Sequence, residues 1–447
     1  MNTDLTTGKP AVSLLRFTLP MLLSVAFQQL YNISDSVIAG KFAGEDALAA
    51  VGASYPVTMI FMAVAFGLNI GISVIISQLF GAKDYVQMKT AAFTGFTTVA
   101  VIGVVLTVCG SLLCRPILYL LSTPENIMAD TALYLDIYIW GLLFLFFYNI
   151  SSGVFTSLGD SKTPLYFLIV SSIGNIVLDA VFVIVFHLGV AGVAWATFIA
   201  QGAASVCAFW AVLRRLKRIE TTEKPLLFSA AMLRRIAVVA VPSILQQSFI
   251  SVGNMCIQGL VNGFGSSAVA GYSAAVKLNT FAITALTALC NSISSFTAQN
   301  IGARKLERVR SGFRTGSLMS LTVAAVFLAL YLLAGGALLL LFMDNSSAQA
   351  LAVGEQFLRI LSPFYLAVAA KLTADAVLRG SGAMVFFMIS TFLDLLLRVA
   401  LAFVLVGPYG ITGIWLSWPI GWVISTALSL VFYFRGAWNP EKDRRVA

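Results

Sequence analysis

Ser77-Gln78-Leu79-Phe80-Gly81-Ala82-Lys83 is echoed by Ala298-Gln299-Asn300-Ile301-Gly302-Ala303-Arg304, and the two heptads occupy equivalent points of a longer duplication that runs over residues 27–95 and 246–316. Working back from them, Ile38-Ala39-Gly40 matches Ile257-Gln258-Gly259, Gly44 matches Gly263, and Val51-Gly52-Ala53-Ser54 matches Ala270-Gly271-Tyr272-Ser273. Working forward, Gly189, Gly192 and Trp195 fall near Gly410, Gly413 and Trp415. Both copies lie in apolar sequence, so the chain reads as a duplicated membrane bundle.

The composition agrees. With 447 residues, 59% of them hydrophobic and 11% charged, the chain has too little polar surface to cover a soluble globule. Apolar runs long enough to cross a hydrocarbon core of roughly 30 Å recur from 14–38 to 410–434. Barrel strands would alternate polar and apolar residues, so helices are the expected spanning element. The expectation is an all-α integral membrane protein of twelve helices, six per half. An even number per repeat orients both copies alike, about a pseudo-twofold axis along the membrane normal. The charged stretch 214–235, with Pro225, is the expected linker, dividing an N-terminal lobe (1–223, helices 1–6) from a C-terminal lobe (224–447, helices 7–12).

The net charge of +9 is a matter of distribution. Under this topology all Lys and Arg but Lys41, Arg115, Lys277, Arg359, Lys371 and Arg398 fall on one side, which the positive-inside rule makes the cytoplasm. Both termini are expected there, in a cell membrane, and nucleic acid is not an expected partner. The polar first ten residues do not read as a removable signal, and Cys109, Cys114, Cys207, Cys256 and Cys290 lack metal-ligand spacing.

Ionisable residues inside the bilayer point to chemistry, because each costs on the order of 3 kcal/mol at mid-depth. Asp35 on helix 1 and Asp179 on helix 5 meet no base inside the first-half helices. Asn175 precedes Asp179 by four residues and shares its helical face, and Thr197 on helix 6 falls at a similar depth. Asp35, Asn175, Asp179 and Thr197 thus form a set of hard oxygen ligands suited to a small cation or to shared protons. Two close carboxylates in low dielectric cannot both stay ionised cheaply, so the expected load is H⁺ or Na⁺, with the same four residues as metal ligands if it is Na⁺. Asp136 and Tyr138 lie near enough to join, although Asp136 is close enough to the interface to be simply hydrated, the reading favoured for it.

The second half differs. Lys371 and Asp375, and Asp394 and Arg398, are each spaced four apart and expected to neutralise one another; with Lys277 they form a polar network read as structural. The repeat position of Asp35 is Asn254 and that of Asp179 falls near Ala402, so cation attraction belongs to the first lobe. Phe, Met and Tyr residues are abundant enough to line an adaptable cavity for small organic substrates. The lack of a P-loop motif excludes an ATP-driven pump of that kind, and a single histidine, His187, argues against a multi-histidine zinc site. No enzyme and no cofactor are expected.

Leu30-Tyr31-Asn32-Ile33-Ser34-Asp35, Gly81-Ala82-Lys83 with Gly302-Ala303-Arg304, Gly159-Asp160-Ser161-Lys162-Thr163-Pro164 and Asn175-Ile176-Val177-Leu178-Asp179 together resemble the multidrug and toxic compound extrusion (MATE) family, and within it a bacterial DinF-like branch. The resemblance covers the whole chain. It implies twelve helices in two lobes, a V-shaped cavity, and drug export coupled to Na⁺ or H⁺; the expected partners are small organic substrates and membrane lipids, and the chain is expected to be a monomer. It also implies a first-lobe ion site at Asp35, Asn175, Asp179 and Thr197, and a bend of helix 1 at Pro20. Family members that bind their cation in the second lobe use an acid on helix 7, where this chain has Gln246 and Gln247. The expected function is an antiporter exporting cationic or amphipathic compounds. The alternatives are a flippase for a lipid-linked oligosaccharide, which needs a strongly basic cavity, and an intramembrane aspartyl protease, for which the G-x-G-D segment is missing.

Overall fold

The computed structural model describes residues 4–38, 42, 45–121, 123–342 and 348–443, except for the side chains of 32–33, 35–37, 45–46, 48 and 442–443. Among the described residues the regular structure is helical, as expected of a chain whose backbone polar groups must be satisfied within each segment in lipid. The helices are α1 (Pro10–Ile38), α2 (Glu45–Gly81), α3 (Tyr85–Leu120), α4 (Glu125–Trp140), α5 (Leu142–Ser157), α6 (Lys162–Asp179), α7 (Gly189–Lys217), α8 (Ala230–Asn262), α9 (Ser266–Gly302), α10 (Leu306–Leu339), α11 (Ala348–Leu361), α12 (Tyr365–Ser381), α13 (Met384–Tyr409), α14 (Ile411–Arg435) and the short α15 (Pro440–Asp443). A π-helical stretch, Ala180–Val185, continues α6, and a 3-10 turn, Ser362–Phe364, joins α11 to α12.

Among the described residues eleven spans are long and apolar enough to cross a bilayer, and α4 with α5, bent by 47° at Gly141, makes a twelfth. The fourth of the twelve expected helices is therefore broken in two. Gly141 lets the chain turn without changing the apolar character of the sequence on either side. Exposed leucines such as Leu112, Leu120, Leu333 and Leu341 form the outer surface, as suits contact with acyl chains.

The duplication is visible atom by atom. α2 is flanked by α3, α4 and α5, and α9 by α10, α11 and α12. Gly95 on α3 packs against Ile72 of α2, and Gly316 on α10 against Ile293 of α9, the same contact in the two copies. The quoted heptads end in one and the same turn. Lys83 and Arg304 both take left-handed backbone, at φ 60° and 57°. Asp84 N donates to Leu79 O at 3.0 Å, and Lys305 N to Asn300 O at 2.8 Å.

The chain forms two compact units, one comprising Leu19–Gln247, the other Leu5–Thr18 together with Ser248–Ala447. In the first unit the opening half of α8 lies along α2, where Gly71 lets Ala240 approach so closely that a Cβ would sit 2.5 Å from the alanine methyl; Gly67 admits Ile244 in the same way. The stretch before α8 is tied down too, with Lys89 Nζ donating to Ile219 O at 2.6 Å, and Leu226 N and Ser229 N donating to the hydroxyls of Thr90 and Thr94, each at 3.1 Å. In the second unit the N-terminal segment is held likewise. Arg308 donates to the carbonyls of Leu5, Thr7 and Gly8 at 3.0, 2.9 and 2.6 Å, Lys305 Nζ donates to Thr6 O at 2.8 Å, and Leu5, Leu14 and Phe17 are buried.

Candidate functional site

In the first unit α6 and α7 bring together Asn175, Asp179 and Thr197. Asn175 and Asp179 are buried one helical turn apart on α6, whose last residue is Asp179. The Asn175 amide is satisfied at both ends in one orientation. Its Nδ2 then donates to Asp179 Oδ2 at 2.9 Å and its Oδ1 accepts from Thr197 N at 3.2 Å. The opposite orientation offers only a 3.3 Å bond to Thr197 Oγ1 and sets the amide oxygen against the carboxylate, so the first is the physically sound one. Asp179 is where the α-helix gives way to the wider π stretch, a transition common at functional positions in helices. Val183 of that stretch packs with Ile38 of α1 and Val193 of α7, closing an apolar layer beside the acid.

Thr197 also borders a cavity of about 10 Å³ at the α4–α5 break, walled by Tyr134, Tyr138, Gly141, Phe198 and Gln201. That is room for about one water molecule. Gln201, one turn beyond Thr197, was not singled out from the sequence; a polar residue at this spacing on the same helix was the available signal. Tyr138 reaches the cavity, and Asp136 is not among its walls. Asp35 belongs to α1, and its side chain lies outside the described residues. Pro20 sits within α1, one residue past the point at which that helix passes from the second unit to the first, and Ser24 Oγ donates to its carbonyl at 2.9 Å.

In the second unit α12, α13 and α14 bury a charged cluster. Lys371 Nζ lies 2.8 Å from Asp375 Oδ2 and 3.9 Å from Asp394 Oδ2. The other Asp375 oxygen accepts from Ser390 and Ser429 hydroxyls at 3.0 and 2.7 Å, so that carboxylate is well satisfied. The expected Asp394–Arg398 pair does not form. Arg398 instead lies over Trp418 with its guanidinium carbon 4.4 Å from the ring centroid, and its Nε and Nη2 have no hydrogen-bond partner among the described residues. The ring face attracts the guanidinium through its quadrupole. Lys277 stands apart from this cluster, exposed on α9 with its ammonium 5.5 Å from the Phe342 centroid. Lys371, Arg398, Asp375 and Asp394 sum to no net charge.

The MatE family profile matches the chain twice, over residues 20–181 and 242–404, and both matches begin at a proline. The chain is 29% identical to the probable multidrug resistance protein YoeA of Bacillus subtilis over 98% of its own length and 97% of the relative's. It is 22% identical to the multidrug export protein MepA of Staphylococcus saprophyticus, over 96% and 95% of the two lengths. Its fold is that of a MOP superfamily transporter from Pyrococcus furiosus, with a TM-score of 0.90 at 23% identity and 98% of each chain covered. A twelve-span duplicated bundle, each half of which carries the same profile, leaves one conclusion: the chain belongs to the MatE family, and it is a multi-pass membrane transporter and not an enzyme.

Proposed function

We propose that the protein exports cationic or amphipathic organic compounds across the cell membrane, as a monomer in lipid, in exchange for H⁺ or Na⁺ loaded at Asp35, Asn175, Asp179 and Thr197. The observation that carries this reading is Asp179, a fully buried carboxylate bonded to the neutral amide of Asn175 and set beside Thr197 and a water-sized cavity. A buried acid hydrogen-bonded to a neutral amide can change its charge by taking up a proton or a small cation, which an acid locked to a buried base cannot do cheaply. The second-unit cluster is of the locked kind, and its cancelled charge disfavours the flippase alternative, which asks for a basic cavity. The names carried by YoeA and MepA support drug export.

On this reading the lobes 1–223 and 224–447 rock about the pseudo-twofold axis, with a bend of α1 at Pro20, and both termini stay cytoplasmic. The ion supplies the drive through its different affinity for the two lobe arrangements. The test uses purified protein in liposomes, a lipophilic cationic dye, and Na⁺ and pH gradients imposed one at a time. Dye movement should follow one of the gradients, and Asp35→Asn and Asp179→Asn should each lower the rate at least about tenfold, equivalent to about 1.4 kcal/mol, with insertion unchanged. Wild-type rates in either variant, or transport indifferent to both gradients, would sink the proposal.

A further inference from the structure

At the end of the second unit where α10 begins and α14 ends, a cavity of about 390 Å³ is lined by Arg310, Phe313, Arg314, Tyr433, Phe434 and Trp438, with Asn439 at its side. Four aromatic side chains line it. Phe313 stacks on Tyr433 with centroids 3.7 Å apart, and Tyr433 stacks on Trp438 at 5.9 Å. After α14 the chain reverses at Gly436, whose φ of 80° needs a residue without a Cβ, and Trp438 Nε1 locks the reversal by donating to Tyr433 O at 3.2 Å. Arg310 and Arg314 stand one turn apart on α10. Arg310 is paired with exposed Glu307 at 2.7 Å, whereas no carboxylate among the described residues pairs with Arg314. The wall therefore keeps one positive charge. Asn439 Oδ1 accepts from Glu441 N at 3.0 Å, which leaves its NH₂ as a further donor. Phe434, which also lines the cavity, is 73% exposed.

We propose that this cavity is a binding site for an anionic phospholipid of the adjoining leaflet, its phosphodiester taken by Arg314 and Arg310 and its acyl chains leaving over Phe434. A planar guanidinium fork matches a phosphodiester, and a single net positive charge matches its single negative one. Aromatic side chains at this depth favour the boundary between head groups and hydrocarbon. Basic pockets between helix ends are a recurrent form of lipid recognition. A free phosphate would use the guanidiniums and leave the apolar rim unused, so the rim selects the lipid.

The test is native mass spectrometry of the full-length protein in detergent, titrated separately with phosphatidylglycerol and phosphatidylcholine. Phosphatidylglycerol should be retained with at least about a fivefold preference. Arg314→Gln and the double variant Arg310→Gln/Arg314→Gln should abolish the preference, whereas Lys217→Gln/Arg218→Gln, at the exposed end of α7, should keep it. Should the double variant fail to fold, Arg314→Gln decides by itself, since that side chain is exposed. Excess glycerol 3-phosphate should not displace the lipid. Equal retention of the two lipids, an undiminished preference in Arg314→Gln, or displacement by glycerol 3-phosphate overturns the proposal.

Discussion

Lys371 stands between two carboxylates, and burial makes that arrangement costly to disturb on one side only. Removing one partner of a buried pair strands the other charge, at a cost of about 3–5 kcal/mol, whereas neutralising both costs far less. Lys371→Met should therefore lower the apparent melting temperature sharply, and Lys371→Met/Asp375→Asn should recover at least half of the loss, with thermal unfolding in detergent as the measurement. Equal destabilisation in both variants would deny the coupling. At this scale the sequence was legible where partners share a helix. The spacing of Asn175 and Asp179 anticipated their bond, and that of Lys371 and Asp375 theirs. It was not legible where a distant residue competes. Arg398 lies four residues from Asp394 yet turns to Trp418, on a helix whose approach no local spacing reveals. The π stretch after Asp179 was likewise hidden, since a widened turn has no composition of its own.

Among the elements, helix existence was readable from apolar length alone, but neither interruption was expected from the sequence, since proline also sits inside unbroken helices such as α2 and α14. The 3-10 turn at Ser362–Phe364 contains Pro363, while the break at Gly141 lies in an unbroken apolar run. Close helix approach depends on missing side chains. Gly71 lies against the backbone of Ala240, with 2.8 Å from a notional Cβ to its N and Cα, so a larger residue has nowhere to go without moving α8. Gly71→Leu should destabilise the first unit by about 2 kcal/mol or more, in the range of overpacked cores. Gly52, with nothing within 4 Å of such a Cβ, supplies the control, since Gly52→Ala should leave the melting temperature unchanged or raise it slightly. Equal melting temperatures for Gly71→Leu and wild type would contradict the tight α2–α8 contact.

For the whole molecule the duplication was the most legible feature, because it rests on many matched positions and each copy reproduces the same turn at Lys83 and Arg304. Where the compact units begin and end was not legible, since that depends on which surface each connecting segment covers. Leu5–Thr18, ahead of the first repeat, is built into the second unit, and the opening half of α8, the first span of the second half, is built into the first. A gene cut in the linker near 224 would accordingly yield two fragments, each missing a piece of its own cover and carrying a piece of the other's. Neither fragment should be recovered intact when produced singly, and the two made together should reassemble. Removal of residues 2–8 from the full chain should damage the carboxy-terminal fragment's resistance to protease first, because Arg308 would lose three carbonyl acceptors at once.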